Sequence, residues 1–300
     1  MAEFYCNSMN RRAFIKTGVG ALAGLISVGT NNCFSSGKVR KQATRWALLA
    51  DTHIPEDVSD NYRRFYPYQN LQKVLAQIIS DPPDGVAIAG DLARLEGKLG
   101  DYAILKELIK PVAEKTLVLM ALGNHDNREN FLGIFNKIAG DKQSIAGKHV
   151  VVINKPPIRL IVLDSLFYVN KVPGLLGRAQ RRWLEDYLRK CDNTPTILCF
   201  HHSLGDGDGD LLDLPRLFNI IKPVRKVKAI LYGHSHEYRY SQFQGIHLVN
   251  LPATGYNFSD TEPVGWVEAR LTAKGGDFTL HVVAGNKARD GSVKKLAWRK

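Results

Sequence analysis

From Arg45 onward, apolar runs alternate with amphipathic ones. RWALLA (45–50) predicts a short buried strand, and LQKVLAQIIS (71–80) sets Leu71, Val74, Leu75, Ile78 and Ile79 at helical spacing. GVAIAG (85–90) reads as a strand and YAILKELIKPV (102–112) as a helix with Pro111 near its stop. TLVLMAL (116–122) predicts a strand, and NFLGIFNKIAG (130–140) a short helix closed by Gly140. HVVVIN and RLIVLDS make two strands around Pro156-Pro157, followed by a helix over 178–190. TILCF (196–200) is a strand, LDLPRLFNIIK (212–222) a helix and VKAILYG (227–233) a strand. The end changes character: YRYSQF, IHLVNL, VGWVEARL and FTLHVV are short strands with no helices between them. The pattern predicts one α/β domain over 38–300 with a strand-rich C-terminal part.

The first 37 residues have another pattern. Arg11 and Arg12 precede Phe14, Ile15 and Lys16, and a weakly apolar stretch runs from Thr17 to Val28. That stretch is too short to span a bilayer, which needs about 20 apolar residues. A charged start, a short apolar middle and small residues after it describe an export signal, here resembling the twin-arginine type. The expectation is a signal peptide and short linker over 1–37, an exported protein (periplasmic or extracellular), and no transmembrane segment once the signal is removed.

Charge adds a constraint on ligands. Lys plus Arg is 41 against 29 Asp plus Glu, a net +12, so the surface attracts anions. No lysine/arginine run is interleaved with aromatics, so nucleic acid is not expected as a partner. Of the four cysteines, Cys6, Cys33, Cys191 and Cys199, none forms a CxxC pair. Cys199 lies in an apolar run and reads as a buried free thiol.

The chemistry lies at the strand ends. Asp51 and His53 follow the first strand, Asp91 the second, and Asn124, His125 and Asp126 the third. His201 and His202 follow TILCF, and His234 and His236 follow VKAILYG. Sites in open α/β sheets form in the crevice at the carboxyl ends of strands. Residues i and i+2 of an extended segment point the same way, so Asp51 with His53, and His234 with His236, can each offer two ligands in one direction. A lone HxH is more often a solvated turn, and a lone strand-end Asp a helix cap. Five such pieces in order are not explained that way. Carboxylate, imidazole and amide oxygen without thiolate suit divalent or trivalent Mn, Fe or Zn. Asp51, His53, Asp91, Asn124, one of His201 and His202, His234 and His236 suffice for two ions that share one carboxylate. Such a pair, about 3.5–4 Å apart, can activate a bridging hydroxide for in-line attack at phosphorus.

The order DxH, GD, GNHD, strand-end His and GHxH resembles the calcineurin-like metallophosphoesterase superfamily, over about Arg45 to Tyr256. The resemblance implies a four-layer αββα sandwich, two mixed β-sheets flanked by helices. It implies Asp51, His53, Asp91 and His236 around one metal, and Asp91, Asn124, His201 and His234 around the other. His125 would be the general acid and Asp126 the carboxylate that orients it. Ser203 stands where the family often has proline after its fourth-strand histidine, which leaves His202 open as the ligand or as a substrate contact.

GNHDNRE (123–129) further resembles the class III cyclic-nucleotide phosphodiesterase-like branch and makes Arg128 a candidate phosphate contact. GDGDGD (205–210) lacks the glycine and glutamate that a calcium loop needs after its aspartates; it reads as a flexible loop able to cover the site. The leading expectation is a dinuclear phosphodiesterase on a small molecule, a cyclic nucleotide or a glycerophosphodiester-like compound. A secreted phosphomonoesterase and a non-catalytic metal-binding protein are the alternatives, and the intact His125 argues against the last.

Overall fold

The computed structural model describes residues 42–137 and 139–300. The twin-arginine leader, Cys6 and Cys33 lie outside the described residues. The chain runs β1 (Ala43–Leu49), α1 (Pro67–Ser80), β2 (Gly85–Ile88), α2 (Leu99–Ala113), β3 (Leu117–Met120), α3 (Arg128–Ile134), β4 (Asp141–Gln143), β5 (Val150–Lys155) and β6 (Ile158–Val162). It continues α4 (Gly177–Lys190), β7 (Thr196–Cys199), α5 (Leu214–Ile221), β8 (Val227–Tyr232), β9 (Arg239–Phe243), β10 (Ile246–Asn250), β11 (Pro263–Thr272), β12 (Gly275–Gly285) and β13 (Val293–Ala297).

The strands form two mixed sheets, ordered β13-β12-β11-β1-β2-β3 and β4-β5-β6-β7-β8-β10-β9. Side chains alternate across each strand, and this sorts the core into layers. Trp46 and Leu48 of β1 pack with Ile197 and Cys199 of β7 between the two sheets. Their neighbours Ala47 and Leu49 face the helices α1 and α2, and Leu198 faces α4 and α5. The result is a four-layer αββα sandwich. The central strands are covered on one face by helices and on the other by the second sheet, so β2 and β7 are buried throughout and read as unbroken apolar runs. Pro67 opens α1 at its first turn, where a missing N–H is harmless.

Some expectations need correction. The helix expected to close at Gly140 stops at Ile134, with Phe135 at its end, and Asp141–Gln143 forms the edge strand β4. The strand β13 was not expected, because four of its five residues are exposed and show no apolar alternation. Cys199 is a buried free thiol and Cys191 is also free; burial pushes the Cys199 thiol up to about 12. Among the described residues no helix is long and apolar enough to cross a membrane.

Candidate metal centre

Strands β1, β2, β3, β7 and β8 end at one crevice, and the polar residues that follow them meet there. Backbone strain marks the place. Asp51, His53, Asp91, His234 and His236 all have φ between 46° and 75°, the left-handed region that residues with a Cβ rarely adopt. Such conformations persist only where surrounding structure enforces them, and they cluster at functional sites. Two glycines make room. A Cβ on Gly123 would lie 2.1 Å from Asp91 Oδ1, and one on Gly233 would lie 2.4 Å from Asp51 Oδ2.

Asp51, His53 and His236 form one triad and Asp91, His201 and His234 another, each with ligand atoms within 4.8 Å of one another. His53 Nε2 and His236 Nε2 are 3.1 Å apart, and so are His201 Nε2 and His234 Nδ1. Asn124 Oδ1 joins the second triad, 3.2 Å from His201 Nε2. Asp91 stands between the two. Its Oδ1 accepts from the His125 amide at 2.9 Å, which leaves Oδ2 to face His201 Nε2 at 3.3 Å and His53 Nε2 at 3.7 Å.

The outer nitrogen of each ring settles which nitrogen is free. His53 Nδ1 faces the Arg94 carbonyl, His236 Nδ1 that of Tyr256, His201 Nδ1 that of Ala89 and His234 Nε2 that of Gly209. A carbonyl only accepts, so these nitrogens carry a hydrogen, and in the neutral rings His53, His234 and His236 the inner nitrogen holds a lone pair. Lone pairs 3.1 Å apart repel unless a cation lies between them, and an outer N–H held by a carbonyl is the usual support of a ligating histidine. Burial also keeps most of these rings neutral, with His234 down at about 3, His236 at about 4 and His53 well below its ordinary value. Neutral imidazole is the form that binds metal. In His201 burial is outweighed by Asp91 and Asp51, which raise it to about 9, so its Nε2 also holds a proton, facing Asp91 Oδ2 at 3.3 Å, which a cation would have to replace; burial lifts Asp51 to about 7. The donor set therefore fits two cations sharing the Asp91 carboxylate.

The remaining candidates separate. His125 is partly exposed, at 20% of its side chain, with Nε2 4.0 Å from Asp91 Oδ2. Its Nδ1 donates to the Leu95 carbonyl at 2.9 Å. Asp126 corrects an expectation: it is fully buried and does not orient His125. It accepts from the amides of Leu92, Ala93 and Gly123 and from the Tyr102 hydroxyl, and so ties the loop after β2 to the loop after β3. Nothing in the spacing of GNHD separates the two readings; only the position of Leu95 does. Arg128 has a partner of its own. Its Nε donates to Asp164 Oδ2 at 2.5 Å and one Nη to Oδ1 at 3.0 Å and to the Leu166 carbonyl.

His202 is buried beside His201, its Nδ1 2.7 Å from Ser165 Oγ, and its Nε2 has no partner among the described residues. The position directly after the strand, His201, is the one that enters the triad. GDGDGD does reach the centre, through the Gly209 carbonyl on His234. Sequence reading missed Tyr256, whose ring lies 4.6 Å from His53 and 4.7 Å from His236, and Phe258, 4.3 Å from His236. They come from the loop between β10 and β11 and carry no motif.

A family model for calcineurin-like phosphoesterases matches residues 44–238. The chain belongs to this family. A calcineurin-like phosphoesterase is a metal-dependent enzyme with a dinuclear centre, and the two triads supply its two candidate sites. The chain is 26% identical over 203 residues to a probable cyclic nucleotide phosphodiesterase of Vesicomyosocius okutanii, covering 66% of this chain and 81% of that protein. It is 27% identical over 257 residues to a 3',5'-cyclic adenosine monophosphate phosphodiesterase of Haemophilus influenzae, covering 79% and 89%. In fold it resembles a dimetal phosphatase from Danio rerio, with a TM-score of 0.66 at 14% identity over 86% of this chain and 100% of that one.

Proposed function

We propose that this phosphoesterase hydrolyses a small-molecule phosphodiester, with 3',5'-cyclic nucleotides as the leading substrate class and two Mn, Fe or Zn ions as cofactor. Asp51, His53, Asp91 and His236 would hold one ion, and Asp91, Asn124, His201 and His234 the other. When bound, such ions act as Lewis acids toward phosphoryl oxygens and lower the pKa of water. The chain's own part is positioning and proton transfer. The observation that carries the reading is Asp91 Oδ2 between the two ligand triads, with the partly exposed His125 Nε2 4.0 Å away. His125, held through Nδ1 by the Leu95 carbonyl, presents Nε2 at the mouth, where it donates a proton to the departing alkoxide. Neither Asp126 nor Arg128 is needed for that step. The diester preference rests on the GNHDNR context and on the names of the relatives.

A turnover screen of purified, manganese-loaded protein tests it. Cyclic nucleotides and other diesters should be cleaved with higher kcat/KM than monoesters of the same leaving group, and a clear monoester preference reverses the substrate assignment. We further propose export through the twin-arginine leader at 1–37, with 38–300 as the mature domain and a periplasmic or extracellular site of action. Replacing Arg11 and Arg12 by lysine should trap the protein inside, and unchanged export of that variant refutes the leader's type.

A further inference from the structure

The charge of the described chain is unevenly placed. Residues 42–221 hold 22 lysines and arginines against 22 aspartates and glutamates, whereas residues 222–300 hold 13 against 6. The whole excess, +7, therefore belongs to the segment from the end of α5 through β8 to β13. Much of it gathers where β9 and β13, the outer strands of the two sheets, come together. His247 Nε2 donates to the Ala297 carbonyl there at 2.8 Å. One groove between the edges is lined by Arg239, Tyr240, Arg289, Val293 and Lys294, with Glu262 as its single acidic residue. A second continues it past Tyr240 and Lys294 to Lys295. Arg299 extends the surface to the end of α5, donating to the carbonyls of Lys222 and Gln244; beside it Lys222, Arg225 and Gln244 line a third hollow.

Charge on an edge strand has a simpler use, since it blocks edge-to-edge pairing. That accounts for Arg239, Lys294 and Lys295. It does not account for Lys222, Arg225 and Arg289, which lie off the strands. Local neutralisation is only partial: Arg239 pairs with Glu237 at 2.9 Å and Lys295 loosely with Asp277 at 3.9 Å, but among the described residues Lys222, Arg225 and Lys294 form no ion pair. Each edge also carries an exposed apolar side chain, Phe243 on β9 at 41% and Val293 on β13 at 53%.

We propose that this end of the sandwich docks on an anionic phospholipid bilayer. Cations spread over two strand edges and a helix end, with an apolar tip on each edge, suit a smeared negative surface that admits short apolar groups. A nucleic-acid strand would call for free aromatic faces along the groove. The tyrosines here are not free: Tyr238 and Tyr240 are joined hydroxyl to hydroxyl at 2.7 Å, and Arg289 covers the Tyr238 ring at 4.6 Å. The surface is independent of the reaction proposed above.

Co-sedimentation of the full chain with vesicles tests it. The protein should pellet with phosphatidylcholine vesicles containing phosphatidylglycerol and not with phosphatidylcholine alone, and raised salt should release most of it. Lys222→Gln, Arg225→Gln, Lys294→Gln and Lys295→Gln together should weaken binding by more than about tenfold, with turnover of a soluble ester unchanged. If the fourfold variant loses turnover through misfolding, Lys294→Gln with Lys295→Gln on the exposed strand β13 carries the same comparison. Binding of the charge variant equal to that of the wild type would place the contact elsewhere in the chain, the leader included, and overturn the proposal. Equal binding to neutral vesicles would overturn it too. So would displacement from the vesicles by single-stranded DNA at a lower phosphate concentration than the lipid supplies, which would make the surface a nucleic-acid site.

Discussion

Asp91 and Asp164 are both buried aspartates just past a strand, β2 and β6, yet their surroundings are opposite. Around Asp164 everything donates. The amides of His149 and Leu166 reach its carboxylate at 2.8 and 3.1 Å, and Arg128 grips it through two nitrogens. Lys148 secures the same turn by donating to the carbonyls of Asp164, Leu166 and Leu175. Around Asp91 one oxygen is satisfied by an amide, and the other faces only imidazole: His53, whose hydrogen points away, and His201, whose Nε2 proton is the one a cation would replace. A buried carboxylate ringed by donors is complete as folded. One ringed by imidazoles that can offer their lone pairs is suited to a cation. Burial and strand-end position alone do not distinguish a metal site from a structural clamp; the direction of the neighbouring hydrogens does. Asp126 belongs with Asp164, although it shares GNHD with the candidate ligand Asn124.

The largest effect should follow from breaking the open cluster at its shared point. Wild-type protein should carry about two transition-metal ions per chain, and Asp91→Ala should lose both together with turnover, because the proposed ions would share that carboxylate. The fold should survive, since the substitution removes a buried charge and leaves the sandwich core untouched. Elemental analysis showing a single tightly bound ion in the wild type, or two in the variant, is incompatible with a shared Asp91.

His125 sharpens the comparison from the other side, since it touches the open cluster without belonging to it. General acid catalysis is typically worth about 10²–10⁴-fold, and its value depends on how much the leaving group needs a proton. His125→Ala should keep both metals, lose rate strongly on an alkyl ester and lose much less on a nitrophenyl ester, whose phenolate departs unaided. Equal losses on the two esters would mean that His125 binds substrate, and loss of metal would make it a ligand.

The candidate ligands were legible in the sequence because the physics that places them is local. A strand buried on both faces must read as an unbroken apolar run, and the first polar residues after it stand in the crevice. That rule located Asp51, His53, Asp91, Asn124, His201, His234 and His236. It could not sort His125 from Asp126, because their partners, the Leu95 carbonyl and the Tyr102 hydroxyl, come from the turn after β2 and from α2, 30 and 24 residues away. Tyr256 and Phe258 escaped for the same reason. The edges β4 and β13 were invisible because they bury too little apolar surface to leave a period of two.

Arg128 should show the smallest catalytic effect, and it decides which cluster the residue serves. As a phosphate contact it would need a guanidinium free to face the centre, and its loss would raise KM. The structure instead turns its Nε and one Nη onto Asp164, a fully buried carboxylate, while a quarter of the arginine side chain stays exposed. Removing it leaves Asp164 with its two amides and the nearby Lys148, Nζ 3.8 Å away, so the carboxylate is weakened and not abandoned. Arg128→Ala should therefore lower stability by about 1–3 kcal/mol, measured by urea unfolding, with metal content intact. KM for a diester should change less than about threefold, the size of a loss below 1 kcal/mol in binding. A tenfold rise in KM with stability unchanged would move Arg128 from the closed cluster to the substrate.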